Sequence, residues 1–208
     1  MNDGLTANRR VEDRRLITGT GAFVDDIKLE GMLYAVFLRS PMGHAKIKSI
    51  DVSRAESEAP SSSSLTILKG SDINFVLPMI SIWPGRPQPP FPLLAKDEVK
   101  YFGQPVLAIA AESRAKAEDA LESIDVDFEF LPSVVETEKA LDSGAPLVHE
   151  DLKTNVIGSW SHSSGDIQSA QAQADVIIEQ RFEAQRVTGQ AIEPRGALAS
   201  YDPKSGKL

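Results

Sequence analysis

Five groups of residues in this 208-residue chain are of types that could do chemistry, and each also has a plainer reading. Ser40 and His44 lie four residues apart, and a hydroxyl beside an imidazole base is the beginning of a nucleophilic pair. No acid stands nearby in sequence to orient the ring, so His44 reads as a single hydrogen-bonded loop histidine. His149 and His162 lack a His, Asp or Glu neighbour at metal-ligand spacing and read as loop or strand residues. Asp125, Asp127 and Glu129 could attract a cation, but alternate acids on one strand usually mark its solvated face. Arg86, Pro89 and Pro92 fit the RxxPxxP spacing that adaptor domains read from extended peptides. Their plainer role is a rigid surface loop across the proline-rich stretch 83–95. Gly19 and Gly21 have neither the preceding strand nor the third glycine of a dinucleotide fingerprint, so GTG reads as a loop.

Composition narrows the classes further. Acids outnumber Lys and Arg by 30 to 22 for a net charge of −8, and no basic cluster runs along any face, which argues against nucleic acid as a partner. The chain contains no cysteine, so it can hold neither a disulfide nor a thiolate-ligated zinc or iron–sulfur centre. The opening residues are polar and charged, and no apolar run reaches membrane-spanning length. A cytoplasmic protein without a membrane partner is the expectation.

The elements that must position these residues are clearest between Asp97 and Val135. Val106 to Ala111 is an unbroken apolar run of strand length, suited to a strand covered on both faces. Ser113 follows as a helix N-cap, although Lys116 stands where a full capping box would have Glu. Ala117, Ala120, Leu121 and Ile124 make a narrow apolar stripe at helical spacing. The period then falls to two: Ile124, Val126, Phe128 and Phe130 alternate with Asp125, Asp127 and Glu129, a half-buried strand stopped by Pro132. This strand, helix, strand order predicts a right-handed crossover between parallel strands.

Around that unit, residues 1–15 read as an extended arm. Gly31 to Ser40 and Ile47 to Val52 read as two strands of a hairpin, residues 53–64 as a helical turn entering a serine-rich loop, and Ser64 to Leu68 as another strand. Asp72 starts a brief helical turn, and a short strand lies near Val99. Beyond the central unit, Glu136 to Leu141 and residues 166–174 look helical. Asn155 to His162, Val176 to Ala184 and Leu198 to Tyr201 look like strands, the last turning at residues 202–206 into a return strand of two residues. So short a return strand cannot satisfy its partner's backbone groups, which suggests a piece of a longer protein or completion by another chain.

Several blocks together resemble one family. RRVEDRRLITGTGAFVDDIKLEGMLYAVFLRSPMGHAKIKSIDVSRA is similar to the opening of the molybdenum-binding large subunit of the carbon monoxide dehydrogenase, xanthine dehydrogenase and aldehyde oxidase family. The similarity continues through LLAKDEVKYFGQPVLAIAAESRAKAEDALESIDVDFEFLPSVVETEKAL, LVHEDLKTNV, GDIQSAQAQADVIIEQRFEAQRVT and IEPRGALASYDPKSGKL, in the family's order. RSPMGHAKI and EPRGALA point to the carbon monoxide dehydrogenase-like branch. The resemblance implies an α+β fold: an α/β hammerhead domain with a βαβ unit over residues 16–132, then an incomplete second α+β domain over 133–208 that begins the molybdopterin-binding domain.

It also implies a molybdopterin-type cofactor for the complete large subunit, whose metal is held by the pterin's own sulfurs. The implied partners are the remaining molybdopterin-binding part and the FAD-binding and iron–sulfur subunits. The implied reaction class is hydroxylation of carbon with oxygen from water, or oxidation of carbon monoxide. The family's cofactor-facing glutamine, glycine-rich loop and active-site glutamate match no residue up to Leu208. The expectation is therefore no catalytic, cofactor-binding or metal residue in this chain, no cofactor bound by it alone and no turnover in isolation. Glu193, in EPRGALA, is the acid nearest such a role and reads as a structural residue starting a strand. The alternative is a stand-alone interaction or scaffold module that uses the proline-rich loop 83–95.

Overall fold

The computed structural model describes residues 10–60, 64–77, 89–191 and 193–208. Two compact units divide them: the described part of Met1–Glu30 together with Ile167–Leu208, and Gly31–Asp166.

The middle unit holds all the strands found among the described residues. One three-stranded sheet runs in the order β1 (Tyr34–Arg39), β5 (Pro105–Ala111), β3 (Thr66–Lys69), and the other in the order β4 (Glu98–Val99), β2 (Ala45–Asp51), β6 (Asp125–Phe130). Every pairing is antiparallel. The predicted parallel crossover is therefore corrected: β5 and β6 flank the helix as expected but join different sheets. The apolar run of β5 has a different origin, since it is the central strand of its sheet. Leu107 and Ile109 face the helix side at zero exposure, while Val106 faces the second core cluster. The predicted hairpin also fails, because β1 pairs with β5 while β2 pairs with β4 and β6.

Between the strands, α2 (Ser53–Glu58) and α3 (Arg114–Glu122) cover the first sheet. Ser113 caps α3, its Oγ accepting from the Lys116 amide at 3.2 Å. Ala117 is fully buried, and Ala120, Leu121 and Ile124 pack in the same cluster with Val52, Ala55, Leu107 and Ile109. Small residues on that stripe let the helix lie close to the sheet. From Ile124 into β6 the alternation holds through Val126 and Phe128, but Phe130 is 73% exposed at the strand's end.

Elsewhere the chain departs from the pattern. A short helix, α1 (Asp13–Ile17), stands where an extended arm was expected, and the helical region before Leu141 shrinks to a 3-10 turn at Lys139–Leu141. Near Asp72, the helical turn is a 3-10 turn over Gly70–Asp72, which ends at that residue. The short α4 (Ile167–Ala172) forms as expected. Residues 155–162, 176–184 and 198–201 form no strand. Val176, Ile178 and Phe182 are 75–84% exposed, and a ladder needs a neighbour whose backbone it can bond. Only the isolated bridge between Asp202 and Lys207 remains of the last hairpin.

Candidate functional site

The polar groups that the fold gathers most closely lie at the edge of the second sheet. Ala45 at the start of β2 pairs with Val99 in β4, which brings His44 beside Glu98 although 54 residues separate them. His44 Nε2 meets Glu98 Oε1, and Nδ1 donates to the Pro132 carbonyl at 2.7 Å. Lys100 Nζ donates to Glu98 Oε1 at 3.1 Å and to the Val148 carbonyl at 2.8 Å. The His44 side chain is 11% exposed and that of Glu98 32%. Burial pushes the Glu98 carboxyl up, but the hydrogen bonds from His44 and Lys100 outweigh it and leave the group below its ordinary value.

The segment on the far side is knitted by Asn155, whose amide donates to the carbonyls of Ala140 and Pro146 while its Oδ1 accepts from the Val148 amide at 3.0 Å. His149 sits against this cluster with Nδ1 buried and without a hydrogen-bond partner. Burial, helped by the neighbouring Lys100 cation, holds its pKa below the ordinary value despite Asp151 and Glu98.

The chemistry expected of single residues is thereby revised. Ser40 Oγ is bonded to the backbone of Met42, donating to its carbonyl and accepting from its amide at 3.0 Å, so Ser40 and His44 form no nucleophilic pair. The expectation that no acid orients His44 is overturned by Glu98. His149 likewise has charged neighbours, whereas His162 is exposed. Asp125, Asp127 and Glu129 lie on the solvated face of β6, with Glu129 paired to Lys48 across the strands. Arg86 lies outside the described residues, and Pro89 is buried, which removes one proline of the RxxPxxP spacing from the reach of a peptide-binding domain. Glu193 starts no strand: its Oε1 accepts from the Val24 amide at 3.0 Å.

In the unit built from both chain ends, a cleft of about 190 Å³ is lined by Phe23, Val24, Asp25, Asp26, Glu193 and Pro194. Three carboxylates there would repel the phosphate of a pterin cofactor. No three His, Asp or Glu among the described residues are placed to hold a metal ion. That cleft is therefore unsuited to the phosphate end of a molybdopterin-type group. No helix among them is long and apolar enough to cross a membrane.

Two domain families match this chain in succession. The a/b hammerhead domain of aldehyde oxidase and xanthine dehydrogenase matches residues 18–132, more than half of the chain, and the molybdopterin cofactor-binding domain matches residues 148–208. The chain belongs to the aldehyde oxidase and xanthine dehydrogenase family. Within it, the chain resembles the N-terminal part of carbon monoxide dehydrogenase-type large subunits.

The nicotine 6-hydroxylase large subunit of Paenarthrobacter nicotinovorans is 37% identical over 96% of this chain and 24% of its own length. The carbon monoxide dehydrogenase large chain of Afipia carboxidovorans is 35% identical over 96% of this chain and 26% of its own. Among solved structures, quinoline 2-oxidoreductase from Pseudomonas putida 86 superposes with a TM-score of 0.63 at 38% identity, covering 72% of this chain and 19% of that one. The chain thus spans about a quarter of the length of the curated relatives it matches. The family implies a molybdopterin cofactor for the complete subunit.

Proposed function

We propose that this chain is the N-terminal structural portion of a molybdenum hydroxylase large subunit of the carbon monoxide dehydrogenase type, a cytoplasmic oxidoreductase. The hammerhead domain occupies residues 16–132, and residues 133–208 begin the molybdopterin-binding domain. On this reading the chain supplies no catalytic or cofactor-ligating side chain, and turnover requires the remaining molybdopterin-binding part. FAD-binding and iron–sulfur subunits are the further partners, which agrees with a chain that has no cysteine of its own. The observation that carries the proposal is the succession of the two domain matches, together with relatives about four times longer that align over nearly the whole chain. No finding supports the stand-alone scaffold alternative.

The test is to purify the protein from its source cells on an affinity handle in this chain. Molybdenum, pterin, flavin and iron are then quantified and the accompanying polypeptide sequence determined. The expected result is molybdenum near one equivalent per chain, with molybdopterin-binding sequence either continuous with Leu208 or in a companion polypeptide. Recovery of the chain without molybdenum or such sequence refutes the proposal.

A further inference from the structure

The hammerhead match ends at residue 132 and the cofactor-binding match begins at residue 148, leaving a connector of residues 133–147 between them. Both ends of that connector are held by one continuous polar chain. The Pro132 carbonyl accepts from His44 Nδ1 at 2.7 Å, His44 Nε2 meets Glu98, Glu98 accepts from Lys100 at 3.1 Å, and Lys100 donates to the Val148 carbonyl at 2.8 Å. The geometry points to a positioning relay: His44, Glu98 and Lys100 fasten the exit of the hammerhead and the entry of the second domain to the β2–β4 edge as one unit.

Three observations support a coupled relay over two separate contacts. Glu98 Oε1 is shared, receiving both the His44 ring and the Lys100 ammonium, so a change at either donor redistributes charge on the same oxygen. The two nitrogens of one rigid ring meet the Pro132 carbonyl and Glu98, so neither contact can shift without the other. This ties the contact at residue 132 to the position of Glu98. The group is also largely withdrawn from water, with side-chain exposures of 11%, 32% and 24% for His44, Glu98 and Lys100, where charge-assisted bonds are stronger than at an open surface.

The far end is built to receive such a hold. Val148 has its carbonyl on Lys100 and its amide on Asn155, so its position is fixed from both sides of the peptide. The connector itself is pinned at Ala140 and Pro146 by the same asparagine. Nothing in the two domain matches assigns a role to His44, Glu98 or Lys100. The relay rests on the proposed function only in naming what lies beyond residue 148.

The test is amide hydrogen exchange on the full 208-residue chain and its His44→Phe, Lys100→Met and Lys100→Arg variants. Residues 131–133, residues 148–150 and strand β5 are followed as three separate probes. Loss of a charge-assisted bond in a coupled relay should speed exchange about tenfold at both connector ends in His44→Phe and in Lys100→Met. Strand β5 should be unaffected, and Lys100→Arg should restore slow exchange. Loosening of only the near end by each variant overturns the relay, as does an equal rise in β5. None of these outcomes depends on molybdenum content, so a failure here is distinct from a failure of the proposed function.

Discussion

Replacing Gly70 with Ala tests the packing between the first sheet and the segment before β4. Gly70 is buried at the start of the 3-10 turn that follows β3, and its φ is not positive, so the consequence is steric alone. A methyl group there would lie 2.4 Å from the Ala95 carbonyl oxygen, 2.7 Å from its carbon and 2.9 Å from the Lys96 Cα. These are backbone atoms and cannot rotate away. Ordinary contact at about 3.4 Å would require the chain at 95–96 to retreat by about 1 Å. Ala95 is 1% exposed, and its amide donates to the Pro105 carbonyl at 2.8 Å. The retreat therefore strains one buried hydrogen bond, worth about 1 kcal/mol, and overpacks the core at about 1–3 kcal/mol. The expected loss is about 2–4 kcal/mol. At an m-value of about 2 kcal/mol per molar urea, the unfolding midpoint should fall by about 1–2 M. An unstrained glycine-to-alanine change instead stabilises by about 0.4–1 kcal/mol. A midpoint unchanged or raised would refute the steric reasoning.

Two further changes test other parts of the molecule. Ser113→Ala removes the acceptor for the Lys116 amide and should destabilise the chain by about 1 kcal/mol in urea titration, with Ser113→Asp retaining most of the stability. His149→Phe removes the buried, unpartnered Nδ1, so above neutral pH its stability should equal or exceed that of the parent. Because burial and Lys100 lower the His149 pKa in the fold, the unfolded chain binds the proton more readily. The parent should therefore lose stability as pH falls below about 6.5 toward the lowered folded value, and the variant should lose less over that window. Urea midpoints at pH 8 and pH 5.5 check both the size and the sign.

Local signals in the sequence carry through to the structure where the cause is local. The Ser113 cap and the Ala117, Ala120, Leu121 stripe depend on residues within a few turns, and both are present in α3. The strand character of β5 was equally legible, but its neighbours were not. An apolar run shows that both faces are covered, not whether the flanking strands run parallel or antiparallel, and β5 lies between antiparallel β1 and β3. The Val176 to Ala184 pattern failed for the complementary reason: the side chains suit a strand, but no described backbone pairs with it. Glu98 as the partner of His44 gave no local signal. Only the β2–β4 register, Ala45 opposite Val99, brings the two together. The family resemblance came from several ordered blocks, information that no single element carries.

The grouping of both chain ends in one compact unit has a consequence for synthesis. The Val24 amide and its acceptor Glu193 are 169 residues apart, and Gly196 leaves no room for a side chain against Val24, since a Cβ there would meet Val24 Cγ1 at 2.9 Å. At a translation rate of about 5–20 residues per second, roughly ten to thirty seconds separate the emergence of the two segments from the ribosome. Every strand described within residues 31–166 has its sheet partners in hand during that interval. The unit of residues 31–166 can thus fold first, while the Val24 amide waits for its late-made acceptor Glu193.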